Sequence, residues 1–323
     1  MKIAILGAGG LGKAAAQIIA QKQDMQLVAI ADAGGFVFNP AGIDANELQN
    51  VKVGGSVSQM QGGQRSNDSI GEIINLKDHY DGVFIALPNL PNDFIPCVVQ
   101  RFVADGFQGA LVDALKRTRA MEMIFDLDPL LQENKCTYLS GCGATPGLLT
   151  AAAAIAAQSF VKVEKVHIWW GVGIARWDDY KATIREDIAH LPGWDVDSAK
   201  SLTDGEVEEI LNATDGKLTL YNMEHADDVM LERAGVCDRD QVTVGGVMDT
   251  RNAKKPVSTT MTLTGITFDG QRSEHKFVIG DETSMAANVC GTALGYLNRA
   301  QWLRNRGVYG VFGSAEMMPL TVK

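Results

Sequence analysis

Three groups of residues in this chain have types and spacing suited to chemistry. The first is Gly7-Ala8-Gly9-Gly10-Leu11-Gly12, directly after a short apolar run at residues 2–6. The first glycine permits a tight turn, the second lets a pyrophosphate approach the backbone, and the third lets the next helix pack closely on the strand. The alanine-rich segment that follows opens with free N–H groups facing the phosphates. A second strand pattern at 26–31 ends in Asp32, about 20 residues beyond the last glycine, where a carboxylate accepts hydrogen bonds from an adenosine ribose. Gly7, Gly9, Gly10, Leu11, Gly12 and Asp32 are therefore candidate dinucleotide contacts, with Leu87 and Pro88 at the end of a later strand beside them. The alternative is that the glycines serve only a tight strand–helix connection. Asp32 favours NAD, since Ala33-Gly34-Gly35 brings no arginine for a 2′-phosphate, although a glycine-rich loop leaves room for NADP.

The second group is Lys116, at the end of the strand pattern Gly109–Leu115. In an open α/β sheet, ligands bind beyond the carboxyl ends of the strands, so this lysine is at a chemically exposed address. It reads either as a solvated cation or as a Schiff-base nucleophile. The third group is Gly141-Cys142-Gly143-Ala144-Thr145-Pro146-Gly147. Here Thr145 is expected to N-cap the next helix, with Pro146 as its first residue, at the same sheet edge. Such a helix start attracts a substrate carboxylate, and a small-residue turn for close packing is compatible with that role. Cys142, with no histidine near it in sequence, reads as a packing residue.

Arg176, Trp177 and Arg185 follow a glycine-rich strand end and can clasp a carboxylate or form a solvated helix face; Arg233 is a further candidate. None of the five histidines has metal-ligand spacing with another, so no metal site is expected. His167 reads as a core residue. His225 has acidic neighbours, and by itself reads more readily as a surface residue than a catalytic one.

The elements that must hold these residues follow from periodicity. An alternation of short apolar runs with helical segments fills the first half, interrupted by a glycine-rich polar stretch at 54–68 and including one amphipathic run from Met121 to Glu133. This predicts a doubly wound parallel Rossmann sheet over residues 1–147. Residues 148–282 read as an α+β substrate and oligomerisation domain on a mostly antiparallel sheet, with a hairpin at Asp269-Gly270. Residues 283–323, beginning with a helix, are expected to pack back on the first domain.

The chain has 323 residues, 29 basic and 39 acidic, for a net charge of −10, and 46% are hydrophobic. The acidic balance argues against nucleic-acid and membrane-surface partners, which select for clustered Lys and Arg. Five cysteines without a CxxC pair argue against a disulfide framework or zinc site. No signal or membrane-spanning segment is read, so cytoplasmic residence and a homo-oligomeric state are the default expectations.

The Rossmann opening, Asp113-Ala114-Leu115-Lys116, the Gly141–Gly147 loop and the closing Phe312–Pro319 segment together resemble the BioU family of biotin-synthesis enzymes. These are 8-amino-7-oxononanoate carboxylating dehydrogenases, distantly related to the saccharopine dehydrogenase group. The resemblance spans the whole chain. Its glycine motifs are shared with that wider group, and the strand-end lysine with a second-domain histidine is the more specific part. It implies that the Lys116 amine condenses with the substrate ketone, that the imine is reduced with NADPH, and that the neighbouring amine is carboxylated by carbon dioxide or bicarbonate with help from His225. Oxidation and hydrolysis would then release carboxylated 7,8-diaminononanoate and leave Lys116 as allysine, a single-turnover suicide reaction. NADPH departs from the NAD reading of Asp32. The competing readings are a multi-turnover amino-acid dehydrogenase of the saccharopine or diaminopimelate type, and a non-catalytic nicotinamide-sensing regulator.

Overall fold

The structure is a computed structural model that describes residues 1–52, 54–89, 91–174, 177, 181, 184–280 and 284–323. Strand β1 (Lys2–Leu6) is buried from Ile3 onward, as an unbroken apolar run at the centre of a parallel sheet requires. Helix α1 (Gly10–Ala20) lays Ala15, Ala16 and Ile19 against Ile3 and Ile5. Strand β2 (Gln26–Asp32) runs parallel to β1. The chain then turns straight back into β3 (Gly35–Phe38), antiparallel to β2, and after α2 (Ala45–Asn50) it adds β4 (Gly63–Arg65) antiparallel to β3. This edge strand corrects the reading of residues 54–68 as a polar interruption in one part: Gly63-Gln64-Arg65 shows no apolar alternation because it is a short edge strand facing water.

Helix α3 (Ser69–Asn75) leads to β5 (Gly82–Ile85), and α4 (Phe94–Ala104) leads to β6 (Ala110–Asp113). Next, α5 (Thr118–Phe125) and α6 (Asp128–Glu133) precede β7 (Thr137–Ser140). The single run expected over Met121–Glu133 is thus two helices, because Pro129 lacks an N–H and is accommodated only in the first turn of a new one.

Helix α7 (Leu148–Ala156) carries the chain to a second sheet that begins with β8 (Lys162–Gly173). Helices α8 (Ile184–Ile188), α9 (Val196–Ser201) and α10 (Asp204–Ala213) precede β9 (Lys217–Leu220). Helix α11 (Asp227–Arg233) precedes β10 (Val242–Asp249), and β11 (Thr259–Ile266) and β12 (Arg272–Ile279) form the expected hairpin, with Gly270 at φ 79° in its turn. Helix α12 (Met285–Arg304), N-capped by Ser284, returns to the first sheet, where β13 (Gly310–Gly313) pairs with β7. Of the expected start of that helix, residues 281–283 lie outside the described residues.

The first sheet has the order β13-β7-β6-β5-β1-β2-β3-β4 and is parallel from β13 to β2. The fold is therefore the α/β doubly wound one, with an antiparallel edge. Its strand order reverses between β1 and β5, which opens a crevice at their carboxyl ends. One face carries α1 and α12, and the other carries α3, α4 and α5. The second sheet, β12-β11-β8-β10-β9, is antiparallel except where β10 runs parallel to β8. Its inner face packs a separate core against α7 through α10.

Candidate active site

Lys116 lies three residues past the end of β6, and its position is set by a buried carboxylate. Asp113, fully buried, accepts N–H bonds from Leu115 (2.9 Å) and Gly141 (2.7 Å) on one oxygen. Its other oxygen accepts the hydroxyls of Ser140 (2.6 Å) and Tyr138. One side chain thereby ties the loop bearing Lys116 to the Gly141–Gly147 loop. Burial raises the Asp113 carboxyl above the usual carboxylate range, opposed by all four hydrogen bonds.

The loop before α11, with that helix's first turn, is joined to the Lys116 loop and the start of α5 at three successive points. The Ala226 N–H donates to the Lys116 carbonyl (2.8 Å), Arg117 pairs with Glu224 (2.9 Å), and the Thr118 hydroxyl donates to Asp228 (3.2 Å). His225, which the sequence reads more readily as a surface residue, is buried inside this junction at 6% exposure. Its Nδ1 lies 2.5 Å from Oδ2 of the fully buried Asp227, whose two oxygens also accept the Thr145 hydroxyl at 2.9 and 2.8 Å. Facing a carboxylate, Nδ1 is the ring nitrogen that donates its N–H in this contact, and Nε2 is the nitrogen the contact leaves unengaged. Thr145 does not cap a helix: α7 begins at Leu148 with Gly147 at its N-cap. Gly147 has φ 130°, and a Cβ there would lie 1.9 Å from the Gly143 carbonyl oxygen, so the loop folds back on itself before the helix can start.

Lys116 and His225 line one cavity of about 250 Å³ between the two sheets. Leu11, Asn89, Ala114 and Thr145 form its wall on the first sheet's side; Trp170, Met223, Met248 and Ile279 give it an apolar wall on the other. The Asn89 side chain accepts the Lys116 N–H at 3.3 Å.

The glycine loop next to this cavity fits a dinucleotide. Gly7, at φ 101°, lies against β5: a Cβ would stand 2.3 Å from the Ala86 carbonyl oxygen. A Cβ on Gly12 would stand 1.8 Å from the Gly7 carbonyl oxygen, so both positions require glycine for the protein's own packing. Gly9 and Gly10 are exposed and a Cβ on either would meet nothing within 4 Å, which leaves that space to a ligand. No side chain caps α1 and no acidic residue sits in its first turn, so its N–H groups are available to an anion. Leu87 and the exposed Pro88 follow β5 across the crevice. Asp32 is where the sequence places it, but its carboxylate already accepts Gly34 N–H (2.8 Å), the Ser56 hydroxyl (2.7 Å) and Val57 N–H (2.7 Å). Three protein donors thus take most of its acceptor capacity, which weakens it as an argument for NAD over NADP.

Other candidates are dispersed. Pro146 is buried and does not line the cavity, Trp177 packs on the second core, and Arg176 lies outside the described residues. Arg185 pairs with Asp204 (2.7 Å), and Arg233 pairs with Glu316 (2.9 Å) above the Phe125 ring. Among the described residues, no cluster of His, Cys, Asp or Glu could hold a metal ion. The cavity also holds residues that sequence reasoning missed: Asn89, Asp187, at 4% exposure, and Lys255. Nearby, His190 is pushed below the usual histidine value by burial, then by Lys116 and Arg117, against the opposing pull of Asp187 and Glu224. The acidic residue two places after His225 was a legible signal for the Asp227 contact. Asp187 and Lys255 gave none, because only the tertiary fold brings them to this wall.

Comparison with known proteins places the chain in a family. A curated relative from Haloferax mediterranei, "(S)-8-amino-7-oxononanoate synthase BioU", is 44% identical, with 99% of each chain covered. The chain belongs to the BioU family, whose role is in biotin biosynthesis. The model of the Glutamate/Leucine/Phenylalanine/Valine dehydrogenase family matches residues 1–97. Among solved structures, C. glutamicum DAP dehydrogenase in complex with DAP is similar at TM-score 0.58 and 15% identity, covering 98% of this chain and 93% of that one. Saccharopine dehydrogenase (L-Glu forming) from Saccharomyces cerevisiae has TM-score 0.56 at 11% identity, with coverage of 97% and 94%. At these identities the likeness is one of fold. No helix among the described residues is long and apolar enough to cross a membrane.

Proposed function

We propose that this enzyme converts 8-amino-7-oxononanoate to carboxylated 7,8-diaminononanoate in a single turnover, with Lys116 as the nitrogen donor. The observation that carries the reading is one cavity lined by a strand-end lysine and a buried histidine buttressed by Asp227. The family relative, named as a synthase of this amino-keto acid, supports a site that fits the compound. Residues 1–147, with 283–323 packed on them, would hold the nicotinamide, and residues 148–282 would shape the substrate side.

In this reading the Lys116 amine attacks the ketone carbon and loses water to form an imine, for which it must be neutral. The bound nicotinamide would supply the hydride that saturates this imine and, once oxidised, accept the hydride later lost from the lysine Cε. Gly9, Gly10 and the start of α1 would hold its pyrophosphate, and Leu11 would lie between the glycine loop and the cavity. The substrate's own amine would then attack carbon dioxide, and the proton it sheds would pass to Nε2 of His225, while Asp227 stabilises the imidazolium. Water would finally cleave the second imine, so that the nitrogen leaves with the product and an aldehyde stays on the side chain of residue 116. The dehydrogenase likeness favours one rival, in which Lys116 serves a conventional multi-turnover reaction.

A trapping experiment tests the first half of the scheme. With 8-amino-7-oxononanoate and NADPH but no bicarbonate, the Lys116 peptide should gain the substrate as a secondary amine, stable to acid, and Lys116→Arg should gain nothing. An unmodified Lys116, or net formation of 8-amino-7-oxononanoate by the enzyme, would overturn the reading.

A further inference from the structure

We propose that Lys255 binds the terminal carboxylate of the substrate, and so sets the cavity's preference for a medium-length chain ending in an anion. This rests on the reading of the cavity given above. Lys255 is, besides Lys116 and His225, the basic side chain lining the cavity among the described residues. The described arginines that the sequence offered do not line it and are paired elsewhere, Arg185 with Asp204 and Arg233 with Glu316. Lys255 is partly buried, and its ammonium donates to the Gly280 carbonyl at 3.0 Å, which leaves two N–H donors for a ligand.

The glycine-rich end of β8 explains how the lysine reaches the cavity. A Cβ on Gly171 would stand 1.8 Å from the Val257 carbonyl oxygen, and one on Gly173 would stand 2.4 Å from that of Ala253. Segment 253–257 therefore passes directly over the strand, pinned by the Thr259 hydroxyl, which accepts the Gly171 N–H at 3.0 Å. These glycines make room for the segment that carries a cation from the second sheet's side, while Lys116 comes from the first. Trp170, Val172, Met248 and Ile279 supply apolar lining suited to methylenes between the reacting ketone and the acid.

The test measures the rate of Lys116 adduct formation against substrate concentration for the acid and for its methyl ester, with heptanoate as a competing probe. Lys255→Gln should raise the half-saturating concentration of the acid by roughly ten- to a hundredfold. Its saturating rate should fall far less. The preference for acid over ester and the competition by heptanoate should both collapse, and Lys255→Arg should restore them. If the wild type forms the adduct and Lys255→Gln keeps its affinity and acid preference, the anchor is wrong and the proposed reaction stands. If the wild type forms no adduct, the reaction is wrong and the anchor falls with it.

Discussion

The Asp227–His225 pair is the most constrained feature of the site, since a fully buried carboxylate holds the imidazole at one nitrogen. Asp227→Asn can present an amide N–H to Nδ1 and favour the wrong tautomer. It should leave the reductive adduct at Lys116 intact while slowing the carboxylation step by roughly 100-fold or more; a bicarbonate-dependent single-turnover assay separates the two stages. Asp113 is a positioning residue of a different kind. Asp113→Leu strands two backbone N–H groups and two hydroxyls, at about 1–3 kcal/mol for each donor left unsatisfied. Asp113→Asn should lose less, because its remaining oxygen can serve the N–H groups and the hydroxyls can accept from the amide; urea denaturation compares them. His190 gives a pH signature. Its imidazole is lowered by burial, so the unfolded chain protonates first. Stability is full above about pH 6.5 and is lost as pH falls through the lower folded-state value. His190→Gln should flatten that limb of a stability–pH curve. Lys116 could be placed from sequence because a strand end in a parallel sheet is an address. His225 showed its acidic neighbours in sequence but drew a catalytic role only from the resemblance, and Lys255 was missed, because nothing in local spacing reports a contact between loops from different strands.

Among the elements, the glycine loop separates packing from binding. Gly12→Ala drives a Cβ into the Gly7 carbonyl and should both destabilise the protein and abolish nucleotide binding. Gly9→Ala meets no protein atom, so its melting temperature should barely move while NADPH affinity measured by calorimetry falls. The same loop was readable in the sequence, because its strand, turn and helix follow one another without interruption. The edge strand β4 was not, since three residues without apolar alternation carry no hydropathy signal. The helix after β7 begins two residues late for a similar reason: Thr145 looked like a cap by type, and only the fold shows its hydroxyl committed to Asp227.

The whole molecule depends on two sheets sharing one cavity, with α12 and β13 closing the chain back on the first. The closing segment reaches the site's scaffold: the Ser314 hydroxyl meets that of Thr150 at 3.0 Å, and Tyr296 donates to the Ser314 carbonyl at 2.7 Å. Opposite its core, the second sheet presents Trp169 and Tyr221 with ring centroids 5.5 Å apart, the tyrosine 66% exposed. An uncovered aromatic face of this kind suits self-association. Light scattering should therefore report more than one chain per particle for the wild type, and a smaller particle for Tyr221→Lys.

The claim on which the account turns is that the enzyme consumes its own lysine. It is tested most directly by supplying excess 8-amino-7-oxononanoate, bicarbonate and NADPH, counting product molecules per chain, and reading residue 116 by mass spectrometry. The expected result is a yield that stops near one per chain, with Lys116 converted to an aldehyde. Many turnovers with an intact Lys116 would contradict it and return the protein to the conventional dehydrogenases whose fold it shares.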